Sequence, residues 1–185
     1  MLVPPAKIEA PALAASAIAW LLRADWGAIA VSGVSSFVGL LARQELARRS
    51  LILVAQPFAA GLIGATLGGL TISQGWTATP GFCLIVPALM LVPGPHLING
   101  VHDMLENHIQ TGLCRLGLAM GILIATALGI TLGGWLTVGT ATLSTAPSDI
   151  MRLTLPLDMA LAGLAACGFG AFYNAPWRVL WVSVL

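Results

Sequence analysis

Charged residues are scarce in this chain of 185 residues, since Asp, Glu, Lys and Arg together make up only 8% of it. Soluble domains carry about a quarter charged residues, so this composition excludes an ordinary soluble protein. The net charge of +1 also leaves no basic surface for nucleic acid. Only three cysteines occur, far apart in apolar surroundings, which indicates neither a disulfide framework nor a redox pair.

Hydrophobic residues, in contrast, make up 58% of the chain, and the mean hydropathy is +0.94. We therefore expect an all-α integral membrane protein, because helices satisfy their own backbone hydrogen bonds in the lipid bilayer. Apolar segments predict a helical bundle of about six spans, at residues 11–22, 26–42, 51–72, 80–92, 116–136 and 153–173. A partial seventh span begins at residue 177, so we expect a truncated chain.

The basic residues predict how this path is oriented. Six fall on one side of the membrane and two on the other; the six are Lys7, Arg43, Arg48, Arg49, Arg115 and Arg178, and the two are Arg23 and Arg152. By the positive-inside rule, the loop with Arg43, Arg48 and Arg49 is cytoplasmic. The sequence thus predicts a multi-pass protein of the cell's inner (plasma) membrane.

The fourth apolar segment is unusually short and ends at a strong helix breaker. Residues 80–92 would reach only about 20 Å as a helix, whereas the hydrocarbon layer is about 30 Å thick. Pro93, Gly94 and Pro95 follow, and they remove backbone donors and permit a turn. Broken spans of this kind line the binding sites of transporters, so Pro93 and Gly94 are candidate site residues.

The stretch after Pro95 is amphipathic when it is wound as one continuous helix. One face carries His96, Asn99, Asp103, Glu106, Asn107 and Gln110, and the other carries Leu97, Ile98, Val101, Met104, Leu105, Ile109 and Leu113. The plain interpretation is an interfacial helix whose polar face is solvated. The position directly after a broken span favours a second interpretation, in which Asn99 and Asp103 face a substrate or coupling ion.

Other chemistries find little support in the sequence. Three histidines and two acids crowd between residues 96 and 108, but helical spacing brings only pairs such as His102 and Glu106 together, and zinc needs three or four ligands. We expect no metal and no other cofactor. Neither a GxSxG nucleophile elbow nor a GxxxxGK[ST] loop is present, so the sequence indicates neither an enzyme nor an ATP-driven pump.

A second carboxylate, Asp158, lies near the start of the sixth predicted span. An unpaired charge within a span costs about 3 kcal/mol on insertion scales. Asp158 therefore serves either as a proton relay or as a residue that is solvated near the membrane surface, and the sequence does not separate the two.

Several motifs resemble a known family. The membrane portion of the threonine/serine exporter family is similar at LVPG (residues 91–94), LIN (97–99), Asp103 with Met104, His108 with Ile109, and Thr111, Gly112, Leu113 and Arg115. The RQELARR segment at 43–49 resembles it at Arg43, Gln44, Leu46, Ala47 and Arg49. The closest resemblance is to the first subunit of its bacterial split form, and residues 157–180 resemble the opening of the second. The resemblance implies a membrane half at residues 1–137 without the family's soluble N-terminal domain, an external linker at 138–152, and a truncated second subunit at 153–185.

This resemblance implies export of small hydrophilic metabolites by secondary transport driven by an ion gradient. Threonine or serine is the implied substrate, and succinate is the alternative. Asp103 would then hold an ammonium group or the coupling proton, with Arg115 balancing the charge. The structural alternative pairs Asp103 with Arg115 or leaves both solvated. We expect a homo- or hetero-oligomer with the missing exporter portions, and a membrane scaffold without a transport path remains the other class of function.

Overall fold

The computed structural model describes residues 6–49, 54–139 and 155–173, and this part of the chain is helical throughout. Its helices are α1 (Ala6–Leu21), α2 (Trp26–Arg48), α3 (Ala55–Ser73), α4 (Pro80–Leu89), α5 (Gly94–Leu105), α6 (Ile109–Val138) and α7 (Leu155–Phe172). The predicted all-α fold class is therefore confirmed for these residues. The partial seventh span and most of the predicted linker lie outside them.

The number of spans is smaller than predicted. Three described helices, α2, α3 and α6, are long and apolar enough to cross a membrane, and α4 with α5 gives a fourth if the bent pair counts as one span. The prediction of about six spans is wrong for the described residues. The apolar parts of α1 and α7, Ala12–Leu21 and Leu155–Gly170, fall short because 10 to 16 helical residues reach only about 15–24 Å.

The helices pack closely where glycines face a neighbouring backbone. In α6, Gly133 lies so near α3 that a Cβ atom on it would be 2.7 Å from the Leu62 carbonyl oxygen. Gly129 is similarly tight against Phe58 one turn earlier. Small residues permit this approach in lipid, where burial of apolar surface does not drive association. The α3 and α6 pair forms one side of the bundle.

Helix α4 lies inside the bundle, in contact with α1, α2, α3 and α6. Its buried residues Phe82, Val86 and Met90 pack against alanines of α1 and the start of α2, which include Ala15 and Ala28. Because these alanines are small, α1 and α2 approach α4 closely. The end of α4, where the predicted break lies, is therefore held against protein.

The stretch after the break is a helical hairpin, and the expectation of one continuous helix is wrong. Helix α5 ends at Leu105, Asn107 adopts φ +64°, and α6 begins at Ile109. Asparagine tolerates this left-handed conformation better than most residues, so it permits the turn. The two helices then run side by side, with Gly100 of α5 tightly packed against Gly112 of α6.

Candidate functional site

The predicted break is present between α4 and α5, whose axes differ by 53°. The chain makes two tight turns there: the Leu91 N–H donates to the Ala88 carbonyl at 2.9 Å, and the Gly94 N–H donates to Val92 at 2.9 Å. Pro93 is buried, and its carbonyl accepts hydrogen bonds from the first turn of α5. Several peptide groups at the break therefore find partners within the protein, as a break at membrane depth requires.

Three elements cover this break. Leu91, which is buried, packs with Leu40 of α2 and Ala60 of α3. Tyr173, directly after α7, donates its hydroxyl to the Val92 carbonyl at 2.5 Å. Arg43 of α2 lies close enough for its charge to act on the same hydroxyl. The break thus carries a phenol and a cation that sequence reasoning did not assign to a site.

Asp103 and Arg115 form an ion pair across the α5–α6 hairpin. Nη1 of Arg115 lies 2.7 Å from Oδ2 of Asp103, whose side chain is only 15% exposed. The Arg115 side chain is 42% exposed, so the pair has one sheltered and one accessible partner. The structure therefore has the paired arrangement that was the structural alternative, and the Asp103 charge is balanced within the chain.

The remaining predicted site residues lie apart from this ion pair. Asn99 is exposed on α5. Asp158 is partly buried in the first turn of α7, a helix that contacts α1 and neither α5 nor α6 among the described residues. Gly94 is separated from Asp103 by about 14 Å along α5. The predicted site residues therefore lie at two separate locations, the break and the ion pair. Asn99 and Asp158 belong to neither.

Helix α2 buries three serines in the middle of its span. Ser35 donates to the Val31 carbonyl at 2.7 Å, and Ser32 reaches the Phe82 carbonyl of α4 at 3.5 Å. Ser36 is 2% exposed, and no described residue gives its hydroxyl a hydrogen-bond partner. Sequence reasoning missed this cluster, although the run VSGVSS places three hydroxyls in an otherwise apolar helix.

The interior of α4 contains a further irregularity at Pro87. A proline cannot donate to the carbonyl four residues earlier, so Pro87 leaves the Cys83 carbonyl without its helical partner. Gly68 of α3 covers that carbonyl: a Cβ atom at Gly68 would be 2.6 Å from the Cys83 oxygen. The regular helical hydrogen bonding of α4 is therefore interrupted twice, at the Cys83 carbonyl and at the break that follows the helix.

Asp25, which sequence reasoning also missed, joins the start of α2 to the start of α4. Its Oδ2 accepts a hydrogen bond from the Gly27 N–H at 3.1 Å, and its Oδ1 accepts from the Thr77 hydroxyl at 2.8 Å and from the Thr79 N–H at 3.1 Å. Burial raises the pKa of Asp25, but the hydrogen bonds from Thr79 and Thr77 outweigh it and leave the pKa below its ordinary value. An aspartate directly before a helix is a known N-cap signal, so the sequence did contain a clue.

The grooves on the outer surface of the described helices are mainly apolar, and two of them flank α3 and α4. One, of about 650 Å³, lies between α2 and α3 and is lined by residues that include Val34, Leu67 and Trp76. The other, of about 350 Å³, separates α4 from α6 beside Leu89 and Ile130. A hydrophilic ligand needs several polar partners, and the few hydroxyls in these linings, such as Ser35 and Thr126, already donate to carbonyls of their own helices. The grooves suit lipid chains or apolar helices and not a hydrophilic substrate.

The charged residues near the hairpin do not form a metal centre. Nε2 of His102 lies 3.2 Å from Oε1 of Glu106, and both side chains are more than half exposed. Within residues 6–49, 54–139 and 155–173, no group of three or more His, Cys, Asp or Glu residues could hold a metal ion. The His102 and Glu106 pair therefore resembles an ordinary contact between neighbouring turns of one helix.

Comparison with known proteins also indicates a membrane transporter family. The sequence profile of the threonine/serine exporter family, ThrE, matches residues 5–136. Two curated relatives, each named "Probable succinate transporter subunit YjjP", come from Klebsiella aerogenes and Escherichia coli K12 and are 33% and 32% identical over 106 residues. Each match covers 57% of this chain and 41% of the relative, so the chain spans less than half the length of these proteins. No solved structure matches significantly.

Proposed function

Since the chain belongs to the threonine/serine exporter family, we propose that it forms the membrane part of a secondary transporter that exports small hydrophilic carboxylic acids from the cytoplasm. The observation that carries this proposal is the broken span: α4 and α5 meet at 53° around Pro93 and Gly94. Broken helices supply backbone groups to substrates at the middle of transporter folds. No comparable reason exists for such a break in a helix that only anchors a scaffold.

The proposed site consists of the break and the Asp103 and Arg115 pair, with the substrate bound on the side of α5 that faces α6. Arg115 is the accessible partner, since its side chain is 42% exposed. An approaching carboxylate competes with Asp103 for this guanidinium, which offers donors on more than one edge. In this mechanism substrate binding and opening of the ion pair are the same event.

Threonine or serine is the first substrate class, because the family profile carries that description. In that case, the Asp103 carboxylate released from Arg115 receives the ammonium group, and Arg115 receives the carboxylate. A zwitterion thereby replaces one ion pair by two, which keeps the site neutral.

A dicarboxylate such as succinate is the second candidate. Two observations favour it: both relatives are named as succinate transporter subunits, and Asp103 is already neutralised by Arg115 at 2.7 Å. A dianion brings excess negative charge, so the coupling ion then has to be a cation, and protonation of Asp103 would meet that need.

We further propose that residues 1–137 and 153–185 correspond to parts of two exporter subunits that are joined by residues 138–152, and that the chain assembles with further exporter portions. The names of the relatives describe subunits, which supports an oligomer. In the proposed orientation, the segment with Arg43, Arg48 and Arg49, which the structure places in the last turns of α2 and directly after it and not in a loop, faces the cytoplasm of a plasma-membrane protein.

Counterflow in liposomes tests this function directly. Vesicles that contain the purified chain are loaded with unlabelled threonine, serine or succinate, and uptake of the labelled compound is measured. Leucine, whose side chain carries no polar group, is the control. Accumulation of one class identifies the substrate. Because relatives are subunits, the same chain is also expressed in an Escherichia coli strain that lacks its own relative, and labelled efflux is compared. Absence of counterflow and of efflux in both systems would leave the scaffold as the function.

A further inference from the structure

Helix α2 carries a polar face that follows α4. Ser32, Ser36 and Arg43 lie within about 40° of one another around the helix axis, at 100° per residue. This face meets α4, because the Ser32 hydroxyl lies 3.5 Å from the Phe82 carbonyl. The three side chains extend over about 16 Å of the helix. They therefore form a polar line through much of the membrane interior.

The Arg43 end of this polar face lies beside the break between α4 and α5. Leu40, one turn before Arg43, packs against Leu91 at the break. Arg43 is close enough to act on the Tyr173 hydroxyl, which in turn donates to the Val92 carbonyl. The polar face of α2 thus connects the middle of α4 with the break between α4 and α5.

Ser36 is the exceptional member of this face. Other buried hydroxyls of the spans have a backbone carbonyl as acceptor: Ser35 donates to Val31 at 2.7 Å, and Thr126 donates to Ile122 at 2.8 Å. Ser36 is just as buried, yet no described residue accepts its hydrogen bond. Buried polar groups normally have partners, so an unpartnered hydroxyl beside a broken helix requires an explanation.

We propose that the Ser36 hydroxyl is a substrate-binding group, which donates a hydrogen bond to a carboxylate of the exported molecule as it passes between α2 and α4. This inference rests on the proposed function and adds a second substrate-binding position to the one at the break and the Asp103 and Arg115 pair. A carboxylate fits better than a cation, because between Ser32 and Arg43 this face of α2 offers hydroxyl donors and the positive charge of Arg43, and the nearest acid on the face, Asp25, is already hydrogen-bonded at the far end.

The seam between α2 and α4 is closed in this structure, and the two ends are held differently. At the far end, Asp25 accepts hydrogen bonds from Gly27, Thr77 and Thr79 and ties the start of α2 to the start of α4. At the break, the contact includes the apolar packing of Leu40 against Leu91, beside Arg43. The seam therefore opens from the break towards Ser36, so that a carboxylate reaches Arg43 first and Ser36 second.

Two neighbouring serines provide a matched test in the liposome counterflow assay. We expect Ser36→Ala to raise KM about tenfold or more, as loss of a hydrogen bond to a charged group does. Ser35→Ala, which removes an equally buried hydroxyl that is already satisfied by its own helix, is expected to change KM less than twofold. Equal KM values for Ser36→Ala and the unmodified chain would overturn the proposal.

Cysteine labelling separates this inference from the transport function, because it requires no turnover. In a chain with Cys83→Ala, Cys114→Ala and Cys167→Ala, Ser36→Cys should react with a small hydrophilic thiol reagent, and threonine, serine or succinate should slow the reaction at least fivefold. Ser35→Cys is the control and should stay unreactive. Labelling that none of these compounds slows, or no labelling at all, would refute the site even if counterflow succeeds. Protection without counterflow would support the site and contradict the proposed transport.

Discussion

Arg115 approaches Asp103 to 2.7 Å only because the chain turns back at Asn107. In one continuous helix, the two residues would be about 18 Å apart along the axis. The hairpin thus converts an acidic and a basic residue of one amphipathic stretch into a contact between two helices. This contact neutralises the Asp103 carboxylate within the chain.

Exchange of the two charges tests what this pair does. Asp103→Asn should lower the melting temperature in detergent only slightly, because a pair with one partner 42% exposed contributes about 1 kcal/mol or less. The same change should abolish counterflow if Asp103 contacts the substrate or the coupling proton. The double variant Asp103→Arg with Arg115→Asp should restore stability without restoring transport. Full recovery of transport in the double variant would show that the pair is only structural.

The close packing of the hairpin predicts a stability difference between two glycines of α6. A Cβ atom at Gly112 would lie 2.7 Å from the Gly100 carbonyl oxygen, so Gly112→Ala forces α5 and α6 apart and should cost about 1–3 kcal/mol. Gly117 has no atom within 4 Å of that position, and Gly117→Ala should stabilise α6 by up to about 1 kcal/mol. Thermal unfolding in detergent micelles measures both. Similar melting temperatures for the two variants would contradict the hairpin contact.

Asp25 should make the stability of the fold depend on pH. Its pKa is lower in the folded chain than the ordinary value of 3.8, so its contribution is present above that value and is lost as the pH falls through the lower, folded pKa. Asp25→Ala should therefore destabilise the chain by about 1–2 kcal/mol at neutral pH, as loss of an N-cap does, and by much less in strong acid. Melting temperatures from pH 2.5 to 8 provide the comparison. A difference between Asp25→Ala and the unmodified chain that stays constant over this range would argue against the cap.

Asp158 is expected to be dispensable for transport. It lies in the first turn of α7, where a negative charge interacts favourably with the helix N-terminus, and α7 contacts neither α5 nor α6 in the described part of the chain. Asp158→Asn should therefore leave the counterflow rate and its pH dependence unchanged. A shifted pH profile would instead identify Asp158 as a proton relay.

The break was predictable and the hairpin was not. Pro93 and Gly94 act through local chemistry, the loss of donors and the freedom of glycine, which any reader of the sequence can recognise. The spacing of apolar residues, however, stays helical past Asn107, and no proline or glycine lies between Gly100 and Gly112 to mark a turn. The turn there depends on the contact between Gly100 and Gly112.

The span count and the buried serines escaped prediction for related reasons. Hydropathy measures how apolar a segment is, but the lengths of α1 and α7 decide whether they can cross, and helix ends are poorly marked in alanine-rich sequence. Ser32, Ser35 and Ser36 look like ordinary small residues of a span. Only the position of α4 shows which of their hydroxyls have a partner.

The length of α6 places the ion pair at a particular depth. Thirty helical residues measure about 45 Å, some 15 Å more than the hydrocarbon layer. Helix α3 begins beside Gly121, so residues 109–120 continue past it. In the proposed transporter, we therefore expect Arg115 to lie near the membrane surface and not within the hydrocarbon layer. There the guanidinium could exchange Asp103 for an anion in contact with water, which would make the α5–α6 hairpin the entrance for the substrate.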